Sequence, residues 1–320
     1  MRVLVTGGAG FIGSNYVRHV LETTDDGVTV FDAITYAGNL DNLRGLDDDP
    51  RFAFVHGDVC DREAMEAALH GHDAVVHFAA ESHVDRSIVA PDEFVRTNCD
   101  GTNVVCDVAR SVGVGRVLHV STDEVYGSIE EGSFTEDDPL GPRSPYAASK
   151  AASDLIALSY HTTHDLDVVV TRSSNNFGPY QFPEKVIPLF VTNLFDGQRV
   201  PLYGDGLNVR DWCYVEDNCA GIDLALRAGM SGSIYNIGAG NECTNRELVG
   251  RLLDLTESNE SMVEHVADRL GHDRRYSIDT SRIRELGWTP QHDFEVALEA
   301  TVAWYRDNRW WWEPIKAQEL

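Results

Sequence analysis

Lysine is almost missing from this chain. Of its 26 basic residues only Lys150, Lys185 and Lys316 are lysine. Acidic residues number 52, and the formal net charge is −26. Such a balance makes nucleic acid a poor partner, because binding a phosphate backbone needs a basic face. Acid surplus with so little lysine suits a protein adapted to high salt, where screening tames self-repulsion. Long apolar runs are missing too. No stretch approaches the ~18 uninterrupted apolar residues of a membrane span. No apolar leader with a small-residue cleavage site precedes the first strand, so a cytoplasmic location is expected and no membrane partner. Paired cysteines are a third absence. Cys60, Cys99, Cys106, Cys213, Cys219 and Cys243 include no CxxC and are not set against a histidine pair. Free thiols and no metal site are expected.

What is present is enough apolar material for a core, 42 % of residues. At roughly 100–200 residues per domain, the length allows one large domain or two that share a core. Short strands rich in Val and Phe are predicted at 3–6, 28–31, 52–56, 74–78, 116–121 and 168–172. Amphipathic helices are predicted between them at 12–22, 62–70, 94–112 and 146–161. Alternation of this kind predicts an α/β fold: a Rossmann-type, doubly wound parallel sheet with its ligand at the carboxyl ends of the strands. After Arg172 the texture changes, with Pro179, Pro183, Pro188 and Pro201 breaking up the chain. Residues 234–237 read as a returning strand, and the chain from Thr244 reads as helix with loops. The expected division is a dinucleotide-binding domain over 1–174, with a return around 208–240, and a smaller substrate-binding lobe over 175–320.

Gly7, Gly10 and Gly13 follow the first strand and open the first helix. That spacing serves a tight turn, close approach of the backbone to a pyrophosphate, and close packing of helix on sheet. The helix N-terminus then offers free N–H groups to the phosphates. Asp32 stands 19 positions after Gly13, at the end of the second strand. A carboxylate there accepts from the adenosine ribose hydroxyls and repels a 2′-phosphate, so NAD is favoured over NADP. Asp58 ends the third strand and is a candidate adenine contact.

Tyr146 and Lys150 are four apart, on one face of a predicted helix. A phenol is a poor base at neutral pH, and a nearby ammonium is expected to lower its pKa. The fifth strand ends in Ser121-Thr122-Asp123-Glu124. Two neighbouring carboxyls repel, so one is held protonated while the other ionises, which supplies an acid beside a base.

Together these strings resemble the extended short-chain dehydrogenase/reductase superfamily, and within it the dTDP-glucose 4,6-dehydratase family. The segments 79–87, 175–185, 210–212 and 268–276 extend the likeness over nearly the whole chain. The family implies dehydration of dTDP-glucose to a 4-keto-6-deoxy sugar. Tyr146 would take the 4-hydroxyl proton as hydride passes from C4 to NAD, with Thr122 holding that hydroxyl and Lys150 orienting the nicotinamide ribose. Glu124 would take the C5 proton, Asp123 would protonate the departing 6-hydroxyl, and hydride would return to C6. The resemblance implies a cofactor site of Gly7, Gly10, Phe11, Ile12, Gly13, Asp32, Asp58 and Val59. Ala79, Ala80, Ser82, Thr97, Ser121, Tyr146, Lys150 and Asn176 complete it. It implies a substrate site of His83, Thr122, Asn175, Lys185, Val186 and Tyr203. Arg210, Asn245, Asp268, Arg269, His272 and Tyr276 complete that set. Arg210, Arg269 and the 272–275 cluster can neutralise the nucleotide diphosphate, with simple salt bridges the alternative for Arg274 and Arg275. One departure is visible: Leu270 stands where the family's Arg-Pro-Gly-His would place proline, which should loosen the loop. A homodimer through the helices at 94–112 and 146–161 is also implied. A nucleotide-sugar 4-epimerase shares the NAD site and Tyr/Lys pair, but breaks no C–O bond and has no need of Asp123 beside Glu124. A 4,6-dehydratase acting on UDP-glucose remains the other alternative.

Overall fold

Strands apolar on both faces call for helices on both sides, and the structure supplies them. The computed structural model describes residues 1–268 and 271–319. Strands β1 (Arg2–Thr6), β2 (Gly27–Asp32), β3 (Phe52–His56), β4 (Ala74–His77), β5 (Arg116–Thr122) and β6 (Val168–Ser173) follow the predicted positions closely. Three further strands, β7 (Asn175–Phe177), β8 (Val200–Tyr203) and β9 (Val209–Tyr214), precede the returning strand β10 (Ile234–Ile237). The chain then adds β11 (Glu242–Thr244) and β12 (Val263–Val266). The main sheet has seven strands in the order β10-β6-β5-β4-β1-β2-β3, with every pair parallel. The order reverses between β1 and β4, so a crevice opens there at the carboxyl ends.

Helices α1 (Phe11–Thr23), α2 (Arg62–Leu69), α3 (Val84–Val89), α4 (Pro91–Phe94), α5 (Gly101–Val112) and α6 (Pro145–His164) belong to the first half. Helices α7 (Val186–Phe195), α8 (Val215–Ala228), α9 (Asn245–Leu255), α10 (Ser281–Glu285), α11 (Phe294–Asp307) and α12 (Arg309–Glu319) follow. One face of the sheet packs on α1 and α8, through Val17, Val20, Cys219 and Ile222. The other packs on α2, α5 and α6, through Met65, Val105 and Ala157. Helices α7, α9, α11 and α12 with strands β7, β8, β9 and β11 enclose an aromatic core with Phe177, Phe190, Trp212, Tyr305, Trp311 and Trp312.

The helix predicted over 94–112 is present but not α-helical throughout: α4 runs into a π-helical stretch, Val95–Asp100, before α5 begins. Its residues keep a helical backbone, so a helix read from sequence does not reveal it. Two other expectations need correction. The return of the chain to the main sheet is α8 with β10. Strand β9, also inside 208–240, pairs instead with β7 and β11 in a separate three-stranded sheet. A strand that carries Arg210 and Asp211 suits a cleft wall rather than the middle of a doubly covered sheet. Beyond Thr244 the chain also contains β12, which pairs parallel with β8. Its half-exposed Val263-Glu264-His265-Val266 gives little strand signal.

The two cores are tied directly at the glycine turn. The Trp311 indole N–H donates to Asn42 Oδ1 at 2.7 Å. Asn42 Nδ2 donates to the Ala9 carbonyl at 2.8 Å, as does the Asn39 N–H at 3.0 Å. Trp311 and Asn42 are both buried. Asn42→Ala strands an indole N–H in the interior and should cost about 1–3 kcal/mol of stability. Denaturant unfolding checks this, and a loss within ~0.5 kcal/mol would show that the tie is not a structural one.

Candidate active site

The turn after β1 is built for a pyrophosphate. Gly7 has φ +69°, and a Cβ there would lie 2.6 Å from the Ala79 nitrogen. A Cβ on Gly13 would lie 2.3 Å from the Gly7 carbonyl oxygen. Neither position admits a side chain, and the chain has none to offer. Helix α1 starts at Gly10 with no side-chain cap and no acid in its first turn, so its N–H groups and dipole face outward unopposed. Asp32 is fixed at the end of β2, where Oδ2 accepts from the Ala9 N–H at 2.9 Å. Its Oδ1 accepts from the Ile34 N–H at 2.8 Å. Burial pushes the carboxyl's pKa up, and those two N–H groups oppose it. These residues fit a dinucleotide with free ribose hydroxyls. Asp58 accepts from the Cys60 N–H at 2.9 Å and from Arg96 at 2.6 Å. Burial works to raise it, but these donors hold it below the usual carboxylate range. Val59 is buried beside it, while Thr97 lies half-buried in the π stretch.

The chemistry-bearing turn follows β5. Thr122 caps the short 3-10 turn Asp123–Tyr126, its hydroxyl accepting from the Glu124 N–H at 3.2 Å. The same hydroxyl donates to Asp123 Oδ1 at 3.3 Å and shares a hydrogen bond with Tyr146. Asp123 is buried, and its Oδ2 has no hydrogen-bond partner among the described residues. Burial and the charge of Glu124 push its pKa well up, with Arg210 opposing and Asp211 adding to the rise. Burial and the neighbouring carboxyl thus both favour the acid form of Asp123.

Helix α6 presents the pair read from the sequence. Ser144 caps it, accepting from the Ala147 N–H at 3.1 Å, and Pro145 occupies its first turn. The expected effect of Lys150 on Tyr146 is not found. Lys150 Nζ donates to the Val120 carbonyl at 2.8 Å. Burial lowers its own pKa to about 8, against Asp154 and Cys99. Burial and Glu124 push the Tyr146 phenol well above its ordinary value, and the Thr122 hydrogen bond opposes them only in part. Spacing along a helix fixes the face but not the atom that an ammonium meets.

The expected substrate residues fall into two groups of contacts. In one, His83 caps α3, its Nδ1 accepting from the Arg86 N–H at 3.3 Å. Its Nε2 lies 3.6 Å from Glu184. Lys185 Nζ donates to the Ser82 carbonyl at 2.9 Å, and Val186 begins α7. Asn175 and Asn176 open β7, and each has an Oδ1 without a partner among the described residues. In the other, Arg210 is buried. It donates to the Asp273 carbonyl at 2.9 Å, and its guanidinium stacks 4.0 Å from the Tyr276 ring centre. His272 Nδ1 lies 2.6 Å from Asp268, and Asp268 packs against Gly204, next to Tyr203. Asn245 starts α9 with its N–H on the Asn208 carbonyl. Arg269 lies outside the described residues, as does Leu270. Arg274 and Arg275 make the salt bridges that were the other reading of them. Arg274 pairs with Asp205 at 2.8 Å, and Arg275 forks onto both Glu242 oxygens at 2.8 Å.

Sequence reasoning missed four residues. Asn98, inside the π stretch, accepts from the Glu81 N–H at 2.8 Å and donates to the Glu81 carbonyl at 3.0 Å. It also donates to Ser149, next to Lys150, at 2.8 Å. Tyr36 donates to Glu184 at 3.3 Å, and its ring lies under the Arg86 guanidinium at 3.9 Å. Asp273 is the fourth. Nothing local marks any of them, apart from the presence of Glu184 and Asp273 in family-like strings.

A parallel dinucleotide sheet with Thr, Asp, Glu, Tyr and Lys at its carboxyl edge defines an extended short-chain dehydrogenase/reductase. The family model described as GDP-mannose 4,6 dehydratase matches residues 4–301. The dTDP-glucose 4,6-dehydratase of Streptomyces antibioticus is 58% identical over 323 residues, 99% of this chain and 96% of its own length. The low-salt glycan biosynthesis protein Agl12 of Haloferax volcanii is 53% identical, covering 95% of this chain and 98% of its own. The crystal structure of DesIV, the dTDP-glucose 4,6-dehydratase from Streptomyces venezuelae with NAD and TYD bound, superposes with TM-score 0.97 at 58% identity. That match covers 98% of this chain and 100% of DesIV. The UDP-glucose 4-epimerase of Thermus thermophilus, in complex with NAD, is more distant, at 32% identity and TM-score 0.89, covering 96% of this chain and 100% of its own. The chain belongs to the dTDP-glucose 4,6-dehydratase family.

The raised pKa of Asp123 carries a stability consequence. A group whose folded pKa is raised favours the fold below its unfolded pKa, ~3.9 for Asp, and loses that contribution as pH rises through the folded value. Asp123→Asn removes this burden. The variant should melt at or above the wild-type temperature at neutral pH, and its advantage should shrink below about pH 4. A variant that melts lower at neutral pH but not in acid would contradict the raised pKa.

Proposed function

We propose that the protein dehydrates dTDP-glucose to dTDP-4-keto-6-deoxyglucose, as a hydro-lyase that regenerates its NAD in every turnover. The observation that carries this reading is a buried Asp123, its pKa pushed up by burial and by Glu124 beside it, joined through Thr122 to Tyr146. Breaking the C6–O bond needs an acid for the leaving hydroxyl and a base for the C5 proton, whereas 4-epimerisation needs neither.

Gly7, Gly10, Phe11, Ile12 and Gly13 hold the pyrophosphate, and Asp32 holds the adenosine ribose. Asp58 and Val59 flank the adenine. Ala79, Ala80, Ser82, Thr97, Ser121, Lys150 and Asn176 surround the nicotinamide end. Bound NAD supplies a hydride acceptor at C4, a hydride donor at C6 and a positive ring that opposes the burial penalty on Tyr146. Thr122 holds the 4-hydroxyl and Tyr146 takes its proton. Once C4 is a ketone the C5 proton is acidic, and Glu124 removes it. Asp123 gives its proton to the departing 6-hydroxyl, which leaves as water. Hydride return to C6 is matched by return of the C5 proton from Glu124. The proton that Tyr146 took balances the one Asp123 gave up. His83 and Asn175 face the sugar, and Lys185, Val186 and Arg210 hold the diphosphate. Tyr203, Asn245, Asp268, Arg269, His272 and Tyr276 belong to the nucleotide side.

We divide the chain into an NAD-binding domain over 1–174, with α8 and β10 returning to it, and a mainly substrate-binding remainder. The reaction draws on NAD and a nucleotide sugar, and the six cysteines are unpaired; both suit the cytoplasm. Among the described residues no helix is long and apolar enough to cross a membrane. Exposed Val95 and Leu155, on the π stretch and α6, support a homodimer through these helices.

The deciding experiment incubates the protein with dTDP-glucose without added reductant and follows product mass. Loss of one water with no net NADH is expected, and a C4 epimer of unchanged mass would overturn the reading. Asp123→Asn should slow dehydration by roughly 10²–10⁴-fold, while C4 oxidation continues and enzyme-bound NADH absorbance builds up. The acid surplus supports adaptation to high salt. Screening length falls from ~10 Å at 0.1 M to ~3 Å at 1 M salt, so the melting temperature should rise with KCl, and light scattering in molar KCl should give a dimer. A melting temperature that falls with KCl, or a monomer, would remove the corresponding proposal.

A further inference from the structure

Asp273 lies between the nucleotide side of the cleft and the start of the catalytic helix, and no role in the reaction given above uses it. It is buried, and its acceptors are divided among three elements. Its Oδ1 accepts from Arg143 Nη1 at 3.0 Å. Its Oδ2 accepts from the Tyr276 hydroxyl at 2.9 Å. Its main-chain carbonyl accepts from Arg210 Nη2 at 2.9 Å and from Asn208 Nδ2 at 3.1 Å.

Each partner leads to a different part of the site. Arg143 directly precedes Ser144, the cap of α6, and Tyr146 sits in that helix's first turn. Arg210 acts on Asp123, whose pKa its charge pulls down against burial. Tyr276 carries the Arg210 guanidinium on its ring. The segment that holds Asp273 is also laced to the loop between the catalytic turn and α6. The N–H groups of Arg274 and Arg275 donate to Ser128 Oγ at 3.2 Å. Ile129 N–H donates to the Arg275 carbonyl at 3.1 Å, and Phe134 N–H donates to the Ser277 carbonyl at 2.9 Å.

We infer that Asp273 is a positioning residue that makes the placement of Tyr146 and Asp123 depend on docking of the 271–277 segment against the cleft. Engagement of a nucleotide diphosphate at Arg210 and assembly of the acid, base and phenol then become one event. Catalysis is sensitive to placement, since a 1 Å error costs up to ~100-fold. A buried carboxylate whose two oxygens accept from two different side chains, Arg143 and Tyr276, is the kind of contact that fixes geometry to that tolerance. Glu124, Asp211 and Arg210 bear on Asp123, and Glu124 bears on Tyr146 as well. Loss of the Asp273 clamp leaves all of them in the protein but lets their spacing relax.

The kinetic half of the test rests on the dTDP-glucose reading, and the exchange half does not. Arg143 is half-exposed in its pair, so Arg143→Gln is compared with Asp273→Asn and with the double variant. Amide hydrogen exchange in the protein without added ligand should speed up at 144–149 in each single variant, with melting temperatures unchanged for Arg143→Gln. With dTDP-glucose, kcat should fall roughly ten- to a hundredfold while KM moves less than about threefold. The double variant should be no worse than Asp273→Asn alone, and Asp273→Glu should recover part of kcat. Unchanged exchange at 144–149, a rise in KM at constant kcat, or strictly additive losses would overturn the inference. A wild-type protein inactive on dTDP-glucose would count against the substrate reading instead, and the exchange result would still decide the role of Asp273.

Discussion

Keeping the Asp123 carboxyl from water is the constraint on which the cleft depends, since burial is the first cause of its raised pKa. Asp123 stands at the carboxyl end of β5, on the floor formed by the main sheet. A Rossmann sheet alone leaves that edge open to solvent, where a carboxyl ionises near its ordinary pKa. The second lobe closes it. Strand β9 brings Arg210 and Asp211 over the floor, and Tyr276 packs beneath the Arg210 guanidinium. The acid is therefore a product of two cores meeting. Neither half of the chain could hold it alone.

The cofactor turn depends on the same closure. Ala9, in the middle of the glycine turn, offers its N–H to Asp32 and its carbonyl to Asn39 and Asn42. Asn42 in turn accepts from Trp311, near the end of the chain. Glycine gives this turn its shape by leaving room at Gly7 and Gly13, but room alone does not fix a backbone. The polar ties do so, and one of them comes from 269 residues away. Packing of α12 on the aromatic core is thus connected by two hydrogen bonds to the loop that faces the pyrophosphate.

What could be read in the sequence was what its neighbours in the chain explain. Gly7, Gly10 and Gly13 sit between a strand and a helix, Asp32 ends the next strand, and Thr122, Asp123 and Glu124 follow the fifth. Tyr146 and Lys150 share a helix face by spacing. Alternating strands and helices gave the parallel sheet for the same reason, since a covered strand must be apolar on both faces. Residues defined by distant partners could not be read in this way. Asp273 meets Arg143 across 130 positions. Asn98 acts from a π turn, which a helix read from sequence does not distinguish from the α-helix around it. Arg274 and Arg275, basic in an acidic chain, could be read as diphosphate ligands or as salt bridges, and Asp205 and Glu242 hold them. Tyr146 was expected to be acidified by Lys150, but burial and Glu124 dominate and the ammonium faces Val120.

The scarcity of lysine looks different once each one is placed. Lys150 is buried against a carbonyl on the floor of the cleft. Lys185 bridges to the loop after β4. Lys316 joins Asn193 and Asp196 on α7 and just beyond it. Every lysine in the chain therefore has a defined partner, and none simply decorates the surface. Elsewhere the cations are arginines, including the buried Arg172 and Arg210. Their forked guanidinium suits carboxylates and carbonyls and keeps its charge when desolvated. Lysine's flexible stem and strongly hydrated head add most at an exposed surface, and that is where this chain dispenses with it.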